Sequence, residues 1–198
     1  MDETLRKPSA RLPMKTAPHT EPVEPTLAAR SFERAFLEHW DTVYRLLVRM
    51  LGDPAEAEDL ALETFFRLHR HPPREGAGHN LAGWLYRVAT NLGLRSIRSF
   101  RRREQYELSA GKAALASAPE DRPSVLFEKK EQDRLARQAL AKMNPRRAEL
   151  LVLRYSGMPY KDIARALGLS PTSIGPLLLR AEREFAKVYR ALDQEEQV

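Results

Sequence analysis

The sequence predicts an all-α protein of two small helical domains, and three observations lead there. Apolar residues recur at three- and four-residue spacing along most of the chain, proline and small polar residues gather in two places, and no strand-like alternation persists anywhere. At 198 residues the chain has room for two units of roughly 70 residues each plus tails. The expected division is a disordered tail over 1–30, a first domain over 31–105, a linker over 106–123, a second domain over 124–192 and a C-terminal tail over 193–198.

The tail follows from Pro8, Pro13, Pro18, Pro22 and Pro25, with too few large apolar side chains to offset the entropy of ordering. From Ser31 the pattern changes. Phe32, Phe36, Trp40, Val43, Leu47 and Met50 form one helix face that stops at Gly52. Asp53-Pro54 restarts the chain with an N-cap and a first-turn proline, and Glu56 is placed to close a capping box. This second helix turns Ala57, Leu60, Ala61, Thr64, Phe65 and Leu68 inward and ends at Pro72-Pro73.

A loop to Asn80 leads into a third helix, with Leu81, Trp84, Leu85, Val88, Ala89 and Leu92 inward. Its character changes along its length, so that the cationic end from Arg95 to Arg103 is expected outside the core. Residues 106–123 lack a sustained period and read as a linker. Beyond it, Ser124 caps a helix to about Lys142, Asn144-Pro145 opens another to Tyr155, and Gly157 breaks it. Pro159 opens a short helix to Leu167, Gly168 turns the chain, and Ser170-Pro171 starts a long helix to about Leu192.

Composition narrows the function. A net charge of +6 favours a polyanionic partner. The absence of cysteine excludes disulfides, thiolate metal sites and a cysteine nucleophile, and fits a reducing compartment. No apolar run approaches a membrane span and the N-terminus lacks a signal-peptide centre, so no membrane insertion and a cytoplasmic location are expected. His19, His39, His69, His71 and His79 show no ligand spacing with carboxylates, and Gly76 and Gly78 lack the lysine and hydroxyl of a phosphate loop. The sequence calls for no catalytic residue, no metal and no cofactor.

Two motifs point to nucleic acid. In a helix-turn-helix, closely crossing helices need a small residue in the first, glycine at the turn and apolar locks on the second. Ala164, Gly168, Ile174 and Leu178 hold those places, although an ordinary helical hairpin would also use them. Lys161, Arg165, Arg180 and Arg183 are candidates for phosphates, and Thr172 and Ser173 for base edges. The second motif is the arginine-rich end of the third helix, bracketed by Trp84, Tyr86, Phe100 and Tyr106. Cations beside aromatic platforms suit unpaired bases; a solvated helix end is the alternative.

The order "AEDLALETFFRL", "WLYRVATNL" with basic residues after it, a linker, "ALAKMNPRRAELLVLRYSGMPYKDIARALGLS" and "RAEREF" resembles the extracytoplasmic-function group of bacterial sigma factors from Ser31 to about Leu192. The resemblance implies an initiation factor, not an enzyme, whose partners are core RNA polymerase (the beta' and beta subunits), promoter DNA and an anti-sigma factor. It implies polymerase docking through Glu56, Asp59, Leu62 and Glu63, with Phe65 at a matching position that simple core packing also explains. It implies −10 capture through Trp84, Arg87, Asn91, Arg95, Arg98, Arg101 and Arg102, where the Asn91 amide reads a base edge or else serves as a buried or capping residue.

The chain departs from the pattern in three places: Leu62 replaces a usual glutamine, Arg95 a frequent aspartate, and Gly175-Pro176-Leu177 the usual early basic residues of the recognition helix. A kink or late helix start at Pro176 and an unusual −35 preference are therefore expected. An autonomous helix-turn-helix regulator would leave the first half without a task, and a sigma-mimicking interaction protein would not need the arginines.

Overall fold

The computed structural model describes residues 27–73, 80–109 and 125–196. Among them are seven helices and no strand: α1 (Leu27–Leu51), α2 (Pro54–Arg70), α3 (Leu81–Ser109), α4 (Val125–Lys142), α5 (Pro145–Tyr155), α6 (Tyr160–Leu167) and α7 (Pro171–Glu196). Most of the expected tail (residues 1–26), the glycines of the loop before α3, most of the linker, the Ser124 cap and the last two residues lie outside the described residues.

Three boundaries differ from the expectation. Residues 27–30, assigned to the tail, open α1; residues 106–109, assigned to the linker, continue α3; residues 193–196 continue α7. Each stretch lacks proline and glycine and adjoins a helix already formed, where adding a residue costs far less than nucleating a new turn.

Local chemistry explains most helix ends. The Asp53 carboxylate accepts from the backbone N–H groups of Ala55 and Glu56, at 2.9 and 3.2 Å, and Asn144 Oδ1 accepts from the Arg146 N–H at 3.0 Å. The capping box is not closed, however. Glu56 accepts from the Ser96 hydroxyl on α3 instead, so its carboxylate ties two helices together. Pro176 lies within a continuous α7, so the expected late start does not occur; the helix already has a full turn from Pro171 and is locked by Ile174, Leu178 and Ala181, all buried.

α1, α2 and α3 form a three-helix unit around Phe65, Leu47, Val43 and Leu85, each almost fully buried and each contributing roughly 2 kcal/mol of apolar burial. Phe65 packs on Phe36 and Trp40, with ring centroids 4.9 and 5.8 Å apart. It is a core residue. Gly93 lets α3 approach α1 closely, because a Cβ there would lie 2.8 Å from Met50 Cε and 3.3 Å from Leu47 Cδ2.

The second half does not stand apart. α4, α5 and α6 pack on α3, and one continuous buried cluster joins Leu94 and Ile97 of α3 to Met143, Ala148, Leu150 and Ile163. The cation-rich end of α3 is thus partly core, contrary to the sequence expectation. Ile97, only 7% exposed, extends the Leu85–Ala89–Gly93 face by one turn. The arginines occupy the remaining faces.

Candidate nucleic-acid and polymerase interfaces

Helix α2 divides its residues by rotation. Ala57, Ala61, Thr64, Phe65 and Leu68 are buried, while Asp59, Leu62 and Phe66 are exposed and Glu63 is half-buried beside them. Positions 59, 62, 63 and 66 share one helix face. Phe66, 50% exposed, was not singled out in the sequence although it lies four residues after Leu62. The Arg70 guanidinium sits 4.8 Å from the centre of its ring, and Glu63 accepts from Arg67 Nε at 2.8 Å. Of the four expected docking residues, Asp59, Leu62 and Glu63 come together. Glu56 is turned toward α3.

Helix α3 carries a second stripe. Val88, Asn91, Arg95, Arg98 and Arg102 recur at alternating three- and four-residue steps and, with Arg67 of α2, line a cavity of about 370 Å³. Arg98 is half-buried; its Nη2 is fully enclosed with no hydrogen-bond partner among the described residues, and burial pushes its pKa down. Leaving an enclosed guanidinium nitrogen unpaired is costly, and three more arginines, Arg67, Arg95 and Arg102, line the same cavity. Arg67 was missed because its signal is tertiary: nothing in α2 alone shows that α3 aligns its arginines alongside.

The other expected residues of this group lie elsewhere. Arg101 lines a different cavity, of about 400 Å³, with Asp53, Phe100, Arg134 and Arg137. Trp84 packs against the buried cluster, as does Tyr86, whose hydroxyl is engaged with Thr42 and whose pKa burial raises. Neither ring is an open platform here, whereas Phe100 and Tyr106 are exposed.

Asn91 and Arg87 meet the second half of the chain. Asn91 Nδ2 donates to Glu149 Oε1 of α5 at 2.9 Å. Arg87 Nε lies 3.5 Å from the same oxygen, and Arg87 Nη1 donates to the Ala166 carbonyl of α6 at 3.0 Å. Glu149 is 8% exposed on a helix whose residues 148–153 are all buried. Part of that burial is legible in Leu150-Leu151-Val152-Leu153, because four consecutive apolar residues point to every side of a helix and need neighbours on more than one.

The helix-turn-helix geometry is complete. Ile163, Ala164, Ile174 and Leu178 are buried, Gly168 takes the left-handed turn at φ 65, and the Leu169 N–H donates to the Ala164 carbonyl at 2.8 Å. Lys161, Arg165, Arg180 and Arg183 are exposed, Arg165 within 3.4 Å of Asp162. Thr172 is exposed with its hydroxyl 2.7 Å from that of Ser170, and Ser173 is half-buried. Exposed cations thus stand on both helices of the motif. At the other end of the motif, the Glu184 carboxylate accepts from the Asn144 N–H at 2.8 Å and pairs with Arg147 at 2.5 Å.

Known proteins share this arrangement. Residues 35–104 match sigma-70 region 2, and residues 133–185 match sigma-70 region 4. The RNA polymerase sigma factor CarQ of Myxococcus xanthus is 30% identical over 168 residues, covering 84% of this chain and 92% of CarQ. The ECF RNA polymerase sigma factor BldN of Streptomyces coelicolor is 31% identical over 162 residues, covering 81% of this chain and 61% of BldN. The chain belongs to the sigma-70 family, in its extracytoplasmic-function group. This sigma-70 family chain spans about three fifths of the length of BldN and of SigE of Mycolicibacterium smegmatis, at 61% each. Its fold is also that of CnrH, solved in complex with the cytosolic domain of CnrY, at 16% identity and a TM-score of 0.50 over 82% of this chain and 89% of that one. In this family the α1–α3 unit corresponds to region 2 and the α4–α7 unit to region 4. No helix among the described residues is long and apolar enough to cross a membrane.

Proposed function

We propose that this chain is a transcription initiation factor that binds core RNA polymerase, through its beta' and beta subunits, and brings it to promoter DNA. In this reading the Asp59–Leu62–Glu63–Phe66 face of α2 docks on the polymerase. An apolar pair framed by carboxylates suits a basic partner surface with an apolar centre. Glu56 serves instead to hold α2 against α3.

The arginine-lined cavity of α3 is the observation that carries the reading. It joins an unpaired, enclosed guanidinium nitrogen to a neighbouring amide, Asn91, able to read a base edge, so that phosphate holding and base reading stand side by side. Arg95, Arg98 and Arg102, joined by Arg67, hold the −10 strand; Trp84, Arg87 and Arg101 stand at the margins of that site. Lys161, Arg165, Arg180 and Arg183 hold the −35 duplex while Thr172 and Ser173 lie at its base edges. The chemistry of RNA synthesis belongs to the polymerase, the factor contributing no catalytic group, and the work is done in the cytoplasm where the polymerase is. An anti-sigma factor is the third proposed partner: a protein that grips both halves would keep Asn91 and Arg87 on Glu149.

Transcription reconstituted with core polymerase and a promoter library tests the proposal. Specific transcripts that depend on the chain are expected, and their absence with core polymerase shown to be active would overturn it.

A further inference from the structure

The recognition helix presents an apolar stripe to solvent where a polar one would be expected. At 100° per residue, Thr172, Pro176, Leu179 and Arg183 fall within about 60° of one another, and all four are exposed. Ile174, Leu178 and Ala181 occupy the opposite side and are buried. Leu179 is 47% exposed. Nothing in the packing of α7 requires a leucine there, and a Cβ built on Gly175 beside it would meet nothing closer than Tyr160 Cε2 at 4.0 Å.

What covers such a stripe is indicated by its rim. Arg183 ends the stripe and Arg180 lies beside it on α7, while Lys161 and Arg165 are exposed on the preceding helix α6, so the motif carries the charge of a surface that meets phosphates around an apolar centre. In the major groove the thymine C5-methyl is the apolar group that base pairs display; the other edges are hydrogen-bond donors and acceptors. A leucine or a proline ring pressed on those edges would desolvate them without pairing them, which is unfavourable.

We propose that Leu179 and Pro176 determine −35 specificity by reading thymine methyl groups, so that this factor selects adjacent thymines where a polar recognition helix would select by hydrogen bonds. The inference rests on the initiation-factor reading above and deepens it. Pro176 has no N–H to give the Thr172 carbonyl, and its ring instead adds carbon surface to the groove-facing side.

The test begins with promoters selected by the chain and core polymerase from a library randomised across the −35 region. Each thymine of the recovered element is then replaced by deoxyuridine, which removes the C5-methyl alone. Loss of about fourfold in open-complex formation per contacted methyl is expected, the equivalent of one buried carbon. Leu179→Ala should lose a similar factor on the thymine promoter and show little further loss on the deoxyuridine one, while Leu179→Met should keep the discrimination. Circular dichroism of both variants controls for folding. Equal activity on thymine and deoxyuridine promoters overturns the inference, as does a deoxyuridine penalty undiminished in Leu179→Ala, or a Leu179→Ala defect indifferent to the bases, which would mark the stripe as a protein contact. Recovery of no promoter at all overturns the initiation-factor reading and this inference with it, at a step before any base is altered.

Discussion

Asn91 of α3 donates its side-chain amide to Glu149 of α5 at 2.9 Å, so the amide proposed to read a promoter base is held by a carboxylate of the other half of the chain. Arg87 shares that carboxylate at 3.5 Å. Two carboxylate-directed contacts on one acid imitate, in miniature, what a nucleotide would offer: an acceptor for the amide and a negative charge for the guanidinium. Capture of a promoter base by the Asn91 amide then requires the halves to separate.

Glu149→Ala should loosen the closed arrangement. A hydrogen bond to a charged group contributes roughly 1.5–3 kcal/mol, and half-exposed Arg87 adds little, so a shift of roughly tenfold or more toward separated halves is expected. Because the chain has no cysteine, spin labels at Leu37→Cys and Tyr155→Cys, both exposed positions, report the distance cleanly. Longer distances in Glu149→Ala, and in the unmutated labelled chain with core polymerase, support opening; one unchanged distribution in every case excludes it.

On α2, Glu63→Arg and Phe66→Ala should each weaken core-polymerase binding by about tenfold. Stability should change little, because the Glu63–Arg67 pair is half-exposed and an i,i+4 helix pair contributes only about 0.5 kcal/mol. Pull-down affinity and thermal melting, read together, check this; full affinity in well-folded variants would remove the face from the interface.

Replacing Arg95, Arg98 and Arg102 together by alanine should reduce open-complex formation and lower the slope of log affinity against log salt by about one for each lost phosphate contact. Arg101→Ala, whose side chain lines a separate cavity, should change the slope less. An unaltered slope in the triple variant would leave the cavity without a role in DNA binding.

Acid should release the link between α5 and α7. The Asn144 N–H, then Arg147, hold the Glu184 carboxyl below its ordinary pKa. A depressed folded pKa contributes stability that is present above the unfolded carboxylate value of about 4.3 and is lost as pH falls through the folded value. Glu184→Gln should therefore be destabilising at pH 7, with a penalty that shrinks as pH falls below the ordinary carboxylate range, as measured by urea unfolding across that range.

Helices, their caps and their first buried faces were legible in the sequence because their causes are local. Asp53, Asn144 and Gly168 act within three or four residues, and the stripe Ala57, Ala61, Thr64, Phe65, Leu68 follows from one helical period. The motif order carried the family as well. Tertiary structure decided the rest: that Glu56 turns from its own cap to Ser96, that Phe66 faces out while Phe65 faces in, that Arg67 joins the arginines of α3 while Arg101 leaves them, and that Glu149 holds Asn91. Each of these depends on which distant helix covers a given face, and a local period specifies that a face exists without naming its partner. Within α5, Leu150-Leu151-Val152-Leu153 does carry a signal for a second neighbour, since four consecutive apolar residues point to every side of a helix.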